Sequence, residues 1–271
     1  MTGQPFRLAL LQMEAIAGDI DTNLRSIEVA AREATSAGAG CLVAPELALT
    51  GYGAGDAIRA TAESGDGGQV ESLHAIALET GIAIVAGFAE AADGVVYNSA
   101  AAVTPDGRRL IYRKLHLYGD YERSLFRPGS AAPPVFQIGG LNVGLLICYD
   151  VEFPEMVRHL ALGGADLVLV PTALPVSDHA AFIARSIIPV RAFENQVFVA
   201  YANHAGRDDA FAYAGLSGIA APDGTDLARA PETGGNVLIA EIDPAVYAAA
   251  RAANPYLTDR RFGFTAAPER I

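Results

Sequence analysis

Cysteine is scarce in this chain: Cys41 and Cys148 are the only two among 271 residues. Two thiols make no disulfide framework, so packing must hold the fold together, as in a protein of a reducing compartment. Basic residues are also few. Nineteen Lys and Arg face 31 Asp and Glu, for a net charge of −12 and a pI near 4.8. Such a charge repels phosphate backbones and argues against a nucleic-acid partner. No uninterrupted apolar run approaches the roughly 20 residues that a membrane helix needs. The segment MTGQPFRLALLQMEA has no basic leader, and Gln12 and Glu14 break its apolar stretch, so it does not read as a signal peptide. A cytoplasmic protein without a membrane partner is expected. The histidines at 74, 116, 159, 179 and 204 show no His-x-x-x-His spacing, and there is no Cys-x-x-Cys; neither a metal site nor a cofactor is expected. GDGGQ (65–69) is not followed by Gly-Lys-Ser/Thr, which excludes a phosphate loop, and Gly215-Leu216-Ser217-Gly218 lacks the Gly-x-Ser-x-Gly spacing.

What the chain has is apolar material, 51% of its residues, with no linker, repeat or low-complexity segment. That suits one large α/β domain. The spacing predicts strands at FRLALLQ, CLVAPE, IAIVAGFAE, LNVGLLIC, ADLVLVPTA, VFVAYANH, FAYAGLSGIAAP and NVLIAEID. VVYNSAAAVTPDGRRLIYRKLHL reads as a hairpin turning at Pro105-Asp106-Gly107. Helices are predicted at DTNLRSIEVAAREATSAG, capped by Asp21 or Thr22 and stopped by Gly38 or Gly40, at QVESLHAIALET, and at PEMVRHLALGG, opened by Pro154. HAAFIARSIIPVRAFEN is a long helix and PAVYAAARAA a final one. Strands this apolar must be covered on both faces, while the hairpins imply mixed pairing: a layered sandwich of two sheets with helices outside. Domain boundaries are expected at 1–250, with 251–271 a tail that reaches a partner subunit.

Three reactive side chains fall where β-runs stop. Glu46 closes CLVAPE, Lys114 lies in YRKLHL, and Cys148 ends VGLLIC. Strand ends are where a rigid scaffold meets an accessible loop. Taken singly, a solvated Glu, a surface Lys and a core Cys are the plainer readings. Together they make chemistry. A carboxylate can take the thiol proton and later return it to a departing amine, and an ammonium can hold the oxyanion formed when sulfur attacks a carbonyl or nitrile carbon. The backbone N–H of Tyr149 is a second oxyanion donor. Cys41, at the start of a buried strand, reads as core.

The blocks APELALTGY, YRKLHLYGDYERSLFRPG and GLLICYDVEFPE, in that order, resemble the signature blocks of the nitrilase superfamily of carbon–nitrogen hydrolases. LVLVPTA, RAFENQVFVAYANHAG and GLSGIAAPDG extend the likeness to about Asp243. The resemblance implies a single-domain, four-layer αββα sandwich that pairs into homodimers or larger assemblies, and a catalytic Glu46–Lys114–Cys148 triad. It also implies a second glutamate, Glu122 in YERSLFRPG, that orients Lys114; Asp120 competes for that role.

Membership alone does not name the bond cleaved. Cys-Tyr-Asp after the strand, in place of the Cys-Trp-Glu or Cys-Gly-Glu more frequent in nitrile-cleaving relatives, favours an amidase acting on a small-molecule amide. Where ω-amidase-like relatives resemble CYD-x-RFPE, with an arginine for the substrate carboxylate, this chain has Glu152. A carboxylate there repels anions and attracts an ammonium group, pointing to a neutral or amine-bearing carboxamide; the plainer alternative puts Glu152 in solvent or on Arg191. Tyr52, Tyr118, Glu152, Phe153, Thr172 and Ala173 are the expected substrate-binding residues. Alternative readings are a nitrilase or N-carbamoyl amide hydrolase, a redox-sensing thiol protein, and a catalytically silent scaffold.

Overall fold

In FRLALLQ, Leu8 and Leu10 point to one side of the strand and Ala9 and Leu11 to the other, and all four are buried. A strand apolar on both faces must be covered on both, and this one is. The computed structural model describes residues 6–261. Its strands are β1 (Phe6–Gln12), β2 (Cys41–Val43), β3 (Ala83–Ala92), β4 (Val95–Val103), β5 (Arg109–Arg113), β6 (Val135–Ile138), β7 (Leu141–Leu145), β8 (Leu167–Thr172), β9 (Phe198–Asn203), β10 (Gly218–Ala220), β11 (Asp226–Arg229) and β12 (Asn236–Ile242). The helices are α1 (Ile20–Ser36), α2 (Asp56–Thr61), α3 (Gly68–Thr80), α4 (Gly119–Leu125), α5 (Pro154–Leu162), α6 (Ala180–Phe182), α7 (Ile188–Asn195), α8 (Ala248–Ala253) and α9 (Tyr256–Asp259).

Two six-stranded mixed sheets result, ordered β12-β1-β2-β3-β4-β5 and β11-β10-β9-β8-β7-β6. Each has three central parallel strands, β1-β2-β3 and β7-β8-β9, with one antiparallel strand on one side and two on the other. Leu8, Leu10, Val43 and Val85 of the first sheet share a core with Val143, Leu145, Leu167 and Leu169 of the second. On the outer face of the first sheet, Ala9, Leu11 and Leu42 meet Ile27, Ala31 and Ala34 of α1 and Leu73 and Ala77 of α3. Val157 and Leu160 of α5 and Ile188 and Ala192 of α7 complete the core around the second sheet. The molecule is a single-domain α/β sandwich.

Several elements differ from expectation, for local reasons. The cap of α1 is Asp19, not Asp21 or Thr22: its Oδ1 accepts from the Thr22 N–H at 3.0 Å and its Oδ2 from the Thr22 hydroxyl at 2.8 Å. FAYAGLSGIAAP yields only β10, because Leu216 sits at φ 57° and 211–217 forms a loop over Tyr52. β6 is an additional strand, joined to β7 through Gly139-Gly140, both at positive φ, where glycine carries no Cβ penalty. The predicted long helix is continuous, but Ile183–Ile187 forms a π turn between α6 and α7, just ahead of Pro189, whose missing N–H removes a helical bond. Of the expected tail, α9 packs through Tyr256 on Phe193 of α7, with ring centroids 5.7 Å apart; α8 runs across residue 250, and 262–271 lie outside the described residues.

Candidate active site

The loops after β2, β5 and β7 converge where the two sheets meet. Glu46 follows β2 by three residues. Its N–H bonds to Thr172 O at the end of β8, and its carbonyl accepts from the His204 ring beyond β9 at 2.7 Å. Gly87 permits this close approach: a Cβ there would stand 2.2 Å from Leu47 N and 2.6 Å from Glu46 Cα. Lys114 directly follows β5 and is fully buried, as are Glu46 and Glu122. Its ammonium donates to Glu46 Oε1 and to Glu122 Oε1, each at 2.6 Å. Glu122, on α4, also accepts from the Tyr52 hydroxyl and the Tyr118 N–H, both at 2.9 Å. Asp120, its competitor, is fully exposed and pairs with Arg123. The Asn98 amide donates to Glu46 Oε1 at 2.7 Å, while Glu46 Oε2 has no hydrogen-bond partner among the described residues. One carboxylate oxygen is pinned by two donors, and the other has an open lone pair able to take a proton.

Cys148 opens a 3₁₀ turn, Cys148–Glu152, rather than ending the strand. Its φ is +44°, a left-handed conformation that costs a non-glycine residue about 1–3 kcal/mol and persists only when its surroundings enforce it. The first bond of the turn runs from the Asp150 N–H to Ile147 O, which leaves the Tyr149 N–H outside it. Sγ lies within electrostatic reach of Glu46, Lys114 and Glu122, and the Ala173 backbone N–H favours its ionised form.

One ammonium between two buried carboxylates leaves a net negative cluster, and the ionisation equilibria respond. Burial raises the Glu46 carboxyl; Lys114 opposes this, the Glu122 charge adds to it, and the result is about 6. Burial alone would lower Lys114, but Glu46 and Glu122 outweigh it and hold the ammonium well above the usual lysine range. Burial, reinforced by the Glu46 charge, keeps the Cys148 thiol well above its ordinary value, with Lys114 and the Ala173 N–H pulling the other way. Burial and the surrounding negative charge thus favour the protonated thiol over the thiolate.

The other expected residues fall around this cluster in different ways. Tyr52 is buried and holds Glu122. Tyr118 is half-exposed, edge-on to Tyr149 at 5.2 Å, and Tyr149 meets Phe153 at 4.9 Å. Phe153 stacks on His116 at 3.9 Å. The Thr172 hydroxyl bonds Val170 O within the fold, whereas the Ala173 backbone N–H favours ionisation of the Cys148 thiol. Glu152 is partly buried, and its carboxyl is raised by burial against the pull of Lys114 and Arg191. Arg191 binds the Val151 and Glu152 carbonyls at 3.0 and 2.6 Å, not the Glu152 carboxylate. Three contributors went unread in the sequence: Asn98, His204 and Asp150. Asn98 had a signal, a polar residue inside the apolar run of β4. Among the described residues no group of three or more His, Cys, Asp or Glu is arranged to hold a metal ion.

Residues 7–252 match the carbon-nitrogen hydrolase family. A protein of Pseudomonas protegens called "Hydrolase in pqqF 5'region" is 43% identical over 258 residues, 94% of this chain and 89% of its own length. An (R)-stereoselective amidase of a Pseudomonas species is 38% identical, with 94% of this chain and 91% of its own covered. Among solved structures, a double mutant of the amidase from Nesterenkonia sp. AN1 in complex with acrylamide superposes with a TM-score of 0.85, at 34% identity and 96% coverage of both chains. Another mutant of that amidase, carrying the acetamide moiety of fluoroacetamide on its active-site cysteine, gives 0.84 at 35% identity, again with 96% of both chains covered. The chain belongs to the carbon–nitrogen hydrolase family, in the amidase-like branch of the nitrilase superfamily.

Proposed function

We propose that this amidase cleaves the C–N bond of small neutral or amine-bearing carboxamides to a carboxylic acid and ammonia, through a thioester on Cys148. The observation that carries the mechanism is the half-satisfied Glu46 carboxylate beside the thiol: Oε1 fixed by Lys114 and Asn98, Oε2 unpartnered among the described residues. Oε2 takes the Sγ proton as sulfur bonds to the amide carbon. The C=O electron pair moves to oxygen, and the Lys114 ammonium and Tyr149 N–H hold the oxyanion. Collapse of the tetrahedral adduct breaks the C–N bond, with Glu46 returning the proton to the leaving nitrogen. Water then attacks the thioester while Glu46 accepts its proton; C–S cleavage releases the acid and restores the thiol. Glu122 keeps Lys114 aimed at the oxyanion. The covalent chemistry at the cysteine of the Nesterenkonia amidase supports this reading.

The substrate class rests on Glu152, four residues past the nucleophile in the same turn, whose carboxylate is within reach of Lys114. It disfavours an anionic amide. The deciding experiment is ammonia release over matched amide, nitrile and N-carbamoyl panels. Neutral and amine-bearing amides turn over, Cys148→Ala abolishes turnover, and mass spectrometry finds an acyl adduct on Cys148. A preference for 2-oxoglutaramate would end the substrate assignment, and near-full turnover by Cys148→Ala would end the mechanism.

A further inference from the structure

Asp150 is fully buried and takes no part in the cycle above. Its carboxylate nevertheless accepts four hydrogen bonds. Oδ2 receives the Tyr112 hydroxyl at 2.9 Å and the Ile147 N–H at 3.2 Å. Oδ1 receives the His116 N–H at 2.9 Å and the His116 ring Nδ1–H at 2.8 Å. The pattern of donors is informative. Tyr112 and His116 bracket Lys114 on the segment leaving the first sheet, whereas Ile147 and Asp150 itself bracket Cys148 on the segment leaving the second. The ammonium and the sulfur are thus each held between two residues fastened to one carboxylate. The same contacts restrain the turn in which Cys148 adopts its positive φ.

We propose that Asp150 is the positioning residue of this site: its buried carboxylate fixes both the conformation of the Cys148 turn and the separation of Cys148 from Lys114. The proposal deepens the thioester reading and rests on it for its effect on turnover. Its effect on the thiol does not depend on that reading. His116 serves in this arrangement as a donor to Asp150 and, through its stacking on Phe153, ties the clamp to the wall of the site. A purely structural carboxylate would matter for stability alone; a positioning carboxylate also alters the reactivity of protein that is already folded.

The test compares Asp150→Ala, Asp150→Asn and Tyr112→Phe with the unmodified chain. It measures kcat and KM on a neutral amide, the rate of Cys148 alkylation by iodoacetamide followed by peptide mass, and thermal unfolding. Misplacement by about 1 Å costs on the order of 100-fold. Asp150→Ala is accordingly expected to lower both kcat and the alkylation rate by about that factor, with KM changed by less than about twofold. Asp150→Asn keeps one acceptor oxygen and is expected to recover part of the loss. Should Asp150→Ala fail to fold, Tyr112→Phe decides the matter, since it removes a single hydroxyl: kcat and alkylation are expected to fall together, by about 3- to 10-fold, the loss of roughly one hydrogen bond. An unchanged alkylation rate in the folded variants overturns the proposal, as does a loss confined to KM. Unmodified protein that alkylates at Cys148 yet releases ammonia from no amide would sink the amidase mechanism, leaving the alkylation ratios to decide the role of Asp150.

Discussion

Glu46 carries conflicting demands. In the proposed cycle it must be ionised to accept the thiol proton, yet burial and the neighbouring Glu122 charge favour its protonated form, opposed by Lys114 and the two hydrogen bonds to Oε1. With its carboxyl at about 6, well above the ordinary glutamate value, the free enzyme loses its base as pH falls through that point. The profile of kcat/KM against pH reports ionisations of the free enzyme. Its acid limb is expected to have a midpoint about 6 and to fall tenfold per pH unit below it. Asn98→Leu removes a donor that favours the carboxylate, so the limb moves to higher pH and activity at pH about 6 drops further. A limb near 4.5 in both proteins would show that Glu46 is not the group whose ionisation governs the reaction. The direction is the diagnostic: a lost acceptor would move the limb the other way.

At the scale of elements, Glu46 and β3 are coupled through Gly87. The Gly87 N–H bonds Pro45 O at 2.9 Å and its carbonyl accepts from the Leu49 N–H, so the loop carrying Glu46 is laid directly on the strand. Gly87→Ala drives a methyl into that backbone. Overpacking of this kind costs about 1–3 kcal/mol; because the displaced atoms belong to Glu46, kcat is expected to fall further than the loss of stability explains. Denaturant unfolding and ammonia release on the same preparation check this, and an active, unshifted variant would refute it. The elements also show what could be read in advance. Strongly apolar strands such as β1, β8 and β9 declared themselves through their runs, and Glu46, Lys114 and Cys148 through the loops that follow such strands. β6 did not, although Gly139-Gly140 between two apolar runs is a hairpin signal; its four residues were too short to display alternation. α4 was missed for a related reason, since seven residues opening on a positive-φ glycine present little helical periodicity. Asp150 lay in plain view after the nucleophile, but its role depends on Tyr112 and His116, more than thirty residues away, and contacts of that range leave no local pattern.

At the scale of the whole molecule, the two sheets repeat one arrangement of strand directions without a visible repeat in the sequence, and the site lies across them: Glu46 and Lys114 leave the first sheet, Cys148 the second. The chain surrounding it is strongly acidic, with a net charge of −12. A field of that sign concentrates cations and repels anions over a range set by the ionic strength. Under the proposed substrate assignment, Glu152 applies the same preference at close quarters, where screening is weaker. The two contributions are separable by salt. For an amine-bearing amide, raising the ionic strength shortens the Debye length from about 30 Å at 0.01 M to about 8 Å at 0.15 M and removes the long-range attraction; kcat/KM is expected to fall several-fold, mainly through KM. An uncharged amide of the same size should show no such trend. Glu152→Gln should lower kcat/KM for the amine-bearing substrate at every salt concentration while leaving its slope against salt nearly unchanged, because one charge in twelve contributes little to the distant field. Equal salt dependence for the charged and uncharged amides would show that the overall charge does not select the substrate, and would leave Glu152 as the sole electrostatic discriminator in the proposal.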